Sequence, residues 1–459
     1  VINIASIKNK IQAPVNIAPL VVFRIVFGML MLGAAIRFIL KGWVNDLYIQ
    51  PQFYFTYYGF EWIKPLGEFG MYALFAVMII SYVCIILGYF YRVATVVAFA
   101  AFTYVELIDK STYLNHYYFV SAVLFLLIFL PANKYFSLDV LRKPSLKQLT
   151  VPRYTIDVIK LQLAIVYVFA GIAKLNYDWL FRAMPLKIWL PANAHLPLIG
   201  SFLDEEWVAY FFSWFGAIYD LFIVFFLINK RTRLVAYFFV IAFHVMTKLL
   251  FPIGVFPYVM ILSTLIFFSE DFHKKIVELL MRVKLFRVNT LKQLSVSTKP
   301  FYVLNNTKSK VLVIFFSIYF LIQITLPWRF LLYPGNLFWT EQGYRFSWRV
   351  MLMEKAGTAF FYVKDAETGL ESEVMNDEFL TKNQEKMMAT QPDMIVQYAH
   401  YLKEQYKKKG FKNPQVRAEC YVTLNGSGSR LFIDSTVDLA KEKESFAHKN
   451  WILPFNEIK

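Results

Sequence analysis

About nine apolar runs, each roughly 17–23 residues long, succeed one another through the first 327 residues of this chain. They fall near 18–40, 71–91, 93–108, 117–132, 156–174, 207–228, 232–248, 253–268 and 311–327. Helices of that length, rising ~1.5 Å per residue, span a hydrocarbon core of about 30 Å. With 58% hydrophobic residues, the chain carries more apolar surface than a soluble core could hide. The expected fold class is an α-helical polytopic membrane protein of about nine transmembrane helices, with a C-terminal α+β domain outside the membrane.

Charge orients the bundle. Lys8 and Lys10 precede the first run, and Arg92 separates the second from the third. Lys134, Arg142, Lys143, Lys147 and Arg153 separate the fourth from the fifth, and Lys230, Arg231 and Arg233 the sixth from the seventh. Lys274, Lys275, Arg282, Lys284, Arg287, Lys292 and Lys299 follow the eighth. Every second loop is basic, while the alternate loops are mixed or acidic, as at Asp204-Glu205-Glu206. The positive-inside rule then predicts a cytoplasmic N-terminus and an extracytoplasmic C-terminal domain in a multi-pass protein. The net charge of +16 is accounted for by loops facing anionic lipid and calls for no nucleic-acid partner. The first run carries Arg24 and Arg37 and lacks a small-residue cleavage site, so no cleaved signal peptide is expected. Asn305-Asn306-Thr307 falls on the cytoplasmic side, where glycosylation is not expected.

Residues 328–459 change character and form the second of two expected domains, after a membrane domain over 1–327. Ala356 to Val363 reads as a strand. Met394, Ile395, Tyr398, Tyr401 and Leu402 recur at helical spacing up to Lys407. Val416, Ala418, Cys420, Val422 and Leu424 alternate with polar residues, and Asn425-Gly426 predicts a tight turn into Arg430–Asp434. That turn explains the Asn425-Gly426-Ser427 sequon better than glycosylation does. The two cysteines, Cys84 and Cys420, fall in different parts of the chain and are not expected to pair.

Few titratable groups occupy the apolar runs, and topology brings some of them to one depth. Lys174 ends the fifth run, His116 begins the fourth beside Asn115, and His244 lies one turn from the end of the seventh. A lysine in that position either snorkels to the interface or works as a base once apolar surroundings strip its proton. His116 alone reads as a helix-end residue meeting water or a carbonyl, and His244 alone as a satisfied core imidazole. Phe251, Gly254, Phe256 and Tyr258 belong to a broken apolar segment after Pro252; they read either as packing or as flat walls for a ring-shaped lipid. Glu106, Asp109 and Lys110 are expected to pair among themselves, and Asp220 to bind Arg24 or Arg37. Neither Walker, HExxH, GxSxG nor zinc-ligand spacing occurs.

These residues resemble the vitamin K-dependent γ-glutamyl carboxylases, within the wider HTTM group. The matching segments include Val22-Phe23-Arg24, Tyr91-Arg92, Leu107 to Ser111 with Asn115-His116, and Phe169-Ala170-Gly171 with Lys174-Leu175 and Asp178-Trp179. They continue through Phe243-His244, Phe251, Ile253-Gly254, Phe256 and Tyr258-Val259-Met260 to Tyr344, Ser347-Trp348 and Gln397 to His400. The resemblance implies an enzyme that oxidises reduced vitamin K (a naphthohydroquinone or menaquinol) with O2 to the epoxide. The strong base made on the way lets glutamate side chains of a protein or peptide take up CO2. It implies neither biotin nor a metal. It implies that Lys174 is the base on the hydroquinone, and that His116 and Asn115 hold a quinone oxygen. Phe251, Gly254, Phe256 and Tyr258 would line the quinone site, with His244 behind them, and Tyr344, Ser347 and Trp348 would position the glutamate.

Two positions depart from the animal members: residues 41–69 lack a cysteine, and Ala173 stands where a second lysine is found there. Animal members also extend into a region that recognises a propeptide, so leader recognition is not implied. The pattern fits a bacterial member in an inner membrane, in contact with membrane lipid. The alternatives are a hydroquinone epoxidase without carboxylation, and a non-enzymatic HTTM transporter or lipid-binding protein. The oligomeric state is left open.

Overall fold

The computed structural model describes residues 9–282 and 306–455. Lys8, Lys284, Arg287, Lys292, Lys299 and Asn305 lie outside the described residues. Seven described helices are long and apolar enough to cross a membrane. In chain order these and their neighbours are α1 (Ala18–Leu40), α2 (Gly67–Leu87), α3 (Tyr91–Ile108), α4 (Asn115–Phe129), α5 (Tyr154–Ala173), α6 (Glu206–Ile228), α7 (Arg233–Leu250), α8 (Phe256–Ser263), α9 (Glu270–Arg282) and α10 (Asn306–Thr325).

Two of the nine expected spans are shorter than a membrane requires, and each has a local cause. Leu130 precedes Pro131, which disfavours helical backbone at the preceding residue; Leu130 is extended and α4 stops at Phe129. The eighth span is interrupted by Gly254, whose φ is +62°, so α8 begins only at Phe256 and passes into a 3-10 turn, Thr264–Phe267.

The N-terminal end of the bundle is closed by backbone-directed polar contacts. Strand β1 (Pro14–Asn16) pairs antiparallel with β2 (Thr150–Pro152). The buried Arg24 donates to the carbonyls of Ala132 and Phe136 at 3.1 and 2.6 Å. Asp139 accepts from the amides of Phe90 and Tyr91 at 2.9 and 3.1 Å. The basic loops Arg92 and Lys134–Arg153 gather at this end.

The C-terminal domain covers the opposite end. Its sheet has the order β4-β3-β5-β6, with β3 Lys355–Asp365, β4 Glu371–Val374, β5 Pro414–Leu424 and β6 Arg430–Leu431. The expected alternation holds: Val416, Ala418, Cys420, Val422 and Leu424 are all buried, facing the helix Pro392–Lys408 (α11). The expected hairpin forms, but β6 is cut to two residues, and Asn425, Gly426 and Gly428 all adopt positive φ in a longer loop. Both cysteines are free.

The hydrophobic core of this domain does not stop at the boundary. One continuous buried cluster joins Phe361, Tyr398 and Cys420 to Ala173, Trp179, Leu186 and Ala217 at the end of the bundle. Ion pairs join the same surfaces. Lys110 reaches Asp393 at 2.9 Å and Glu444 at 3.1 Å. The expected pairing of Lys110 with Glu106 or Asp109 is therefore wrong. Asp109 instead caps Ser111 and accepts from Gln384 of the C-terminal domain at 2.7 Å.

Candidate functional site

Lys174 is the C-cap of α5, and its placement depends on a glycine three residues earlier. A Cβ on Gly171 would lie 2.6 Å from the backbone nitrogen of Leu221, so only glycine lets α5 and α6 approach this closely. The Lys174 side chain then runs past Gly216 of α6, its Cε 3.9 Å from where a Cβ would stand, an ordinary van der Waals contact. The short helix Tyr177–Arg182, capped by Asn176 on the Trp179 amide, then folds Trp179 over the amine at 5.4 Å.

The amine is not isolated. Nζ donates to Asp220 Oδ2 at 2.6 Å and to the Ala170 carbonyl at 3.3 Å, and both charged side chains are less than a tenth exposed. This overturns two expectations. Asp220 does not bind Arg24 or Arg37; Arg24 is held by carbonyls, and Arg37 lies over Trp43 at 4.8 Å. Nor does Lys174 sit in purely apolar surroundings.

Lys174 and Asp220 line a cavity of about 90 Å³. Its other walls include the flat rings of Tyr167, Trp179, Trp189, Phe251 and Phe256. His244 also faces it. The ring Nδ1 lies 2.9 Å from the Val240 carbonyl, which assigns the hydrogen to Nδ1 and leaves Nε2 an acceptor.

Across Ile253, Phe256, Val350 and Met351 this cavity adjoins one of about 480 Å³ beneath the C-terminal domain. Asn115, His116, Gly254 and Tyr344 line the larger space, with Arg345, Arg349 and Lys355. His116 and Arg37 in turn form part of the wall of an apolar cavity of about 420 Å³, which includes Tyr258 and Glu106 and runs between α1, α3 and α8. Phe256 joins the parts: its ring lies 5.6 Å from His116 and 6.1 Å from His244.

The cations of the larger cavity differ in what holds them. Arg345 and Lys110 both bond Asp393; burial opposes ionisation there, yet the two cations keep its carboxyl well below the usual carboxylate range. Lys355 pairs with Glu341 at 2.9 Å, and burial pulls its ammonium below the usual lysine value. Arg349 has no carboxylate partner among the described residues. Its guanidinium lies over the Phe330 ring at 4.5 Å, and its buried Nε makes no hydrogen bond. Burial lowers its pKa from the ordinary arginine value.

Comparison with known families supplies the decisive observation. The HTTM domain matches residues 12–272, and the lumenal domain of the vitamin K-dependent gamma-carboxylases matches residues 308–458. The chain belongs to the vitamin K-dependent gamma-carboxylase family. No solved structure matches it.

Most residues that the carboxylase resemblance singled out come together. Lys174, His244, Phe251 and Phe256 share the small cavity; Asn115, His116, Gly254 and Tyr344 line the large one; Tyr258 faces the apolar one. Two line none of these three cavities. Ser347 and Trp348 are each 1% exposed; Ser347 bonds the Tyr344 carbonyl, and Trp348 stacks on Tyr118 at 4.7 Å, supporting the loop from below. Asn115 also acts structurally, donating to the Arg349 carbonyl at 2.7 Å. Sequence reasoning missed the partnership of Asp220 with Lys174 and the place of Arg349. The chain showed that each needs a partner, since an acid and a base buried in apolar runs do not stay alone, but not which partner.

Proposed function

We propose that this carboxylase-family protein oxygenates vitamin K hydroquinone to its epoxide and uses the base so generated to carboxylate glutamate side chains with CO2. The observation that carries the reading is the position of Lys174: a buried amine on an aromatic-walled cavity, roofed by a domain of the carboxylase lumenal type. A glutamate γ-hydrogen is far too weakly acidic for any side-chain base at neutral pH. Reduced vitamin K, together with O2, supplies when bound the stronger base that the chain itself lacks.

The residues suit such a ligand. The ring walls Trp189, Phe251 and Phe256 match a flat aromatic head, with Lys174 Nζ and His244 Nε2 as polar groups at its edge. At about 90 Å³ the space beside Lys174 takes the reacting edge, while the apolar cavity of about 420 Å³ suits an isoprenoid tail. Lys174 accepts the hydroquinone proton; Asn115 and His116 orient an oxygen from the adjoining cavity. Tyr344 and Arg349 hold the incoming glutamate, the unpaired guanidinium meeting its carboxylate. The roof and the lipid exclude water, which would quench a strong base. In this reading the N-terminus is cytoplasmic, the membrane domain covers 1–327, and the substrate domain, 328–459, lies on the outer face of a bacterial inner membrane.

Purified protein given reduced vitamin K, O2, labelled bicarbonate and a glutamate-rich peptide is expected to form epoxide and labelled peptide together. Epoxide with unlabelled peptide selects a hydroquinone epoxidase. Absence of both products selects a non-enzymatic HTTM protein.

A further inference from the structure

We propose that Asp220 is the positioning residue of Lys174, and that the base at this site is the lysine–aspartate pair rather than the amine alone; the inference rests on the reading of Lys174 as base. The carboxylate comes from α6 and the amine from the end of α5, so their 2.6 Å contact fixes Nζ at the cavity wall. Asp220 makes no other hydrogen bond among the described residues. The neighbouring Tyr167 bonds Thr264 and His244 bonds a carbonyl, so neither competes for it.

Asp220 decides where the charge of the proton transfer rests. When Nζ takes a proton from a phenolic hydroxyl, the O–H bond breaks, an N–H bond forms, and the electron pair stays on oxygen. A lone buried amine would thereby become an ammonium whose only counter-ion is the new phenolate, which draws the proton back. The pair rests as ammonium and carboxylate, net zero. It acts as base once one proton has left, as neutral amine beside ionised Asp220, net −1, and taking the phenolic proton returns it to net zero while the negative charge moves to the ligand. Total charge is unchanged and no new isolated cation appears.

The test uses full-length protein in lipid nanodiscs. Without hydroquinone present, acetic anhydride is added and acetylation of Lys174 is followed by peptide mass spectrometry. An amine held as an ammonium by Asp220 is protected, so Asp220→Asn should speed its acetylation at least tenfold, while Asp220→Glu should retain protection. Equal rates in wild type and Asp220→Asn overturn the proposal. If Asp220→Asn does not fold, the comparison moves to a background without the buried amine. Methylamine should restore epoxide formation in Lys174→Ala at least tenfold better than in Lys174→Ala/Asp220→Asn, and equal rescue overturns the role of Asp220. Wild-type epoxidation in Lys174→Ala would instead overturn Lys174 as the base, whatever the acetylation contrast shows of the pair.

Discussion

The ion pair between Lys174 and Asp220 governs what single substitutions can do here. Lys174→Ala leaves a buried carboxylate without its partner, a loss of about 3–5 kcal/mol in comparable buried pairs. It is expected to lower the thermal unfolding temperature as well as abolish epoxide formation, and Lys174→Met/Asp220→Leu should recover most of that stability with no activity. Thermal unfolding in detergent separates the two effects; an unaltered melting temperature in Lys174→Ala would contradict a tight pair. Arg349 makes the opposite kind of prediction. Its guanidinium has no acidic partner to strand, so Arg349→Gln is expected to fold normally. A lost charge-assisted contact of about 1.5–3 kcal/mol should raise the KM for a glutamate peptide roughly tenfold or more, with hydroquinone KM little changed. Peptide and hydroquinone titrations check it.

At the scale of elements, the site depends on how closely α5 and α6 approach. Gly171→Val places a methyl-bearing carbon against the backbone of Leu221, where no flexible side chain can give way. Overpacking of that kind costs about 1–3 kcal/mol and separates the helices. The expected outcome is lost activity with Lys174 and Asp220 both present, together with faster amide exchange along α5 and α6, measured by mass spectrometry. The break between α7 and α8 is equally local in cause. Nothing lies within 4 Å of a Cβ at Gly254, so its φ of +62°, not space, demands glycine. This kink turns Phe251 toward Lys174 and Tyr258 toward the apolar cavity, although the two are close in sequence.

At the scale of the molecule, the C-terminal domain is fastened to the bundle by buried apolar contact and by the Lys110–Asp393–Arg345 cluster. The folded Asp393 carboxyl titrates below its unfolded value of about 4, so its contribution is fully present above that pH. It is lost only as pH falls through the depressed folded value. Asp393→Asn is therefore expected to loosen the domain at neutral pH, read as faster limited proteolysis near residue 330, and the mutant's difference from wild type should shrink in strong acid. A difference that grew on acidification would contradict the assignment.

Much of this was legible in the chain. Apolar runs dictate membrane helices because backbone polar groups in lipid must be satisfied within the segment. Alternation dictated the buried face of β5, and the Lys174 segment pointed to the cavity at the end of α5 proposed as the site. What the chain could not disclose was which charges meet. By its position in the apolar run 207–228, Asp220 falls deeper than Lys174. Yet the first turns of α6 rise beside the helices of 177–203, as Trp179 and Leu180 bonding Ser213 and Trp214 show, and this brings the acid level with the amine. Likewise Lys110 passes over its sequence neighbours to reach Asp393. Local pattern depends on neighbours along the chain and can be read from it; partnership between distant charges depends on helix offset and domain docking, and only the packed molecule decides those.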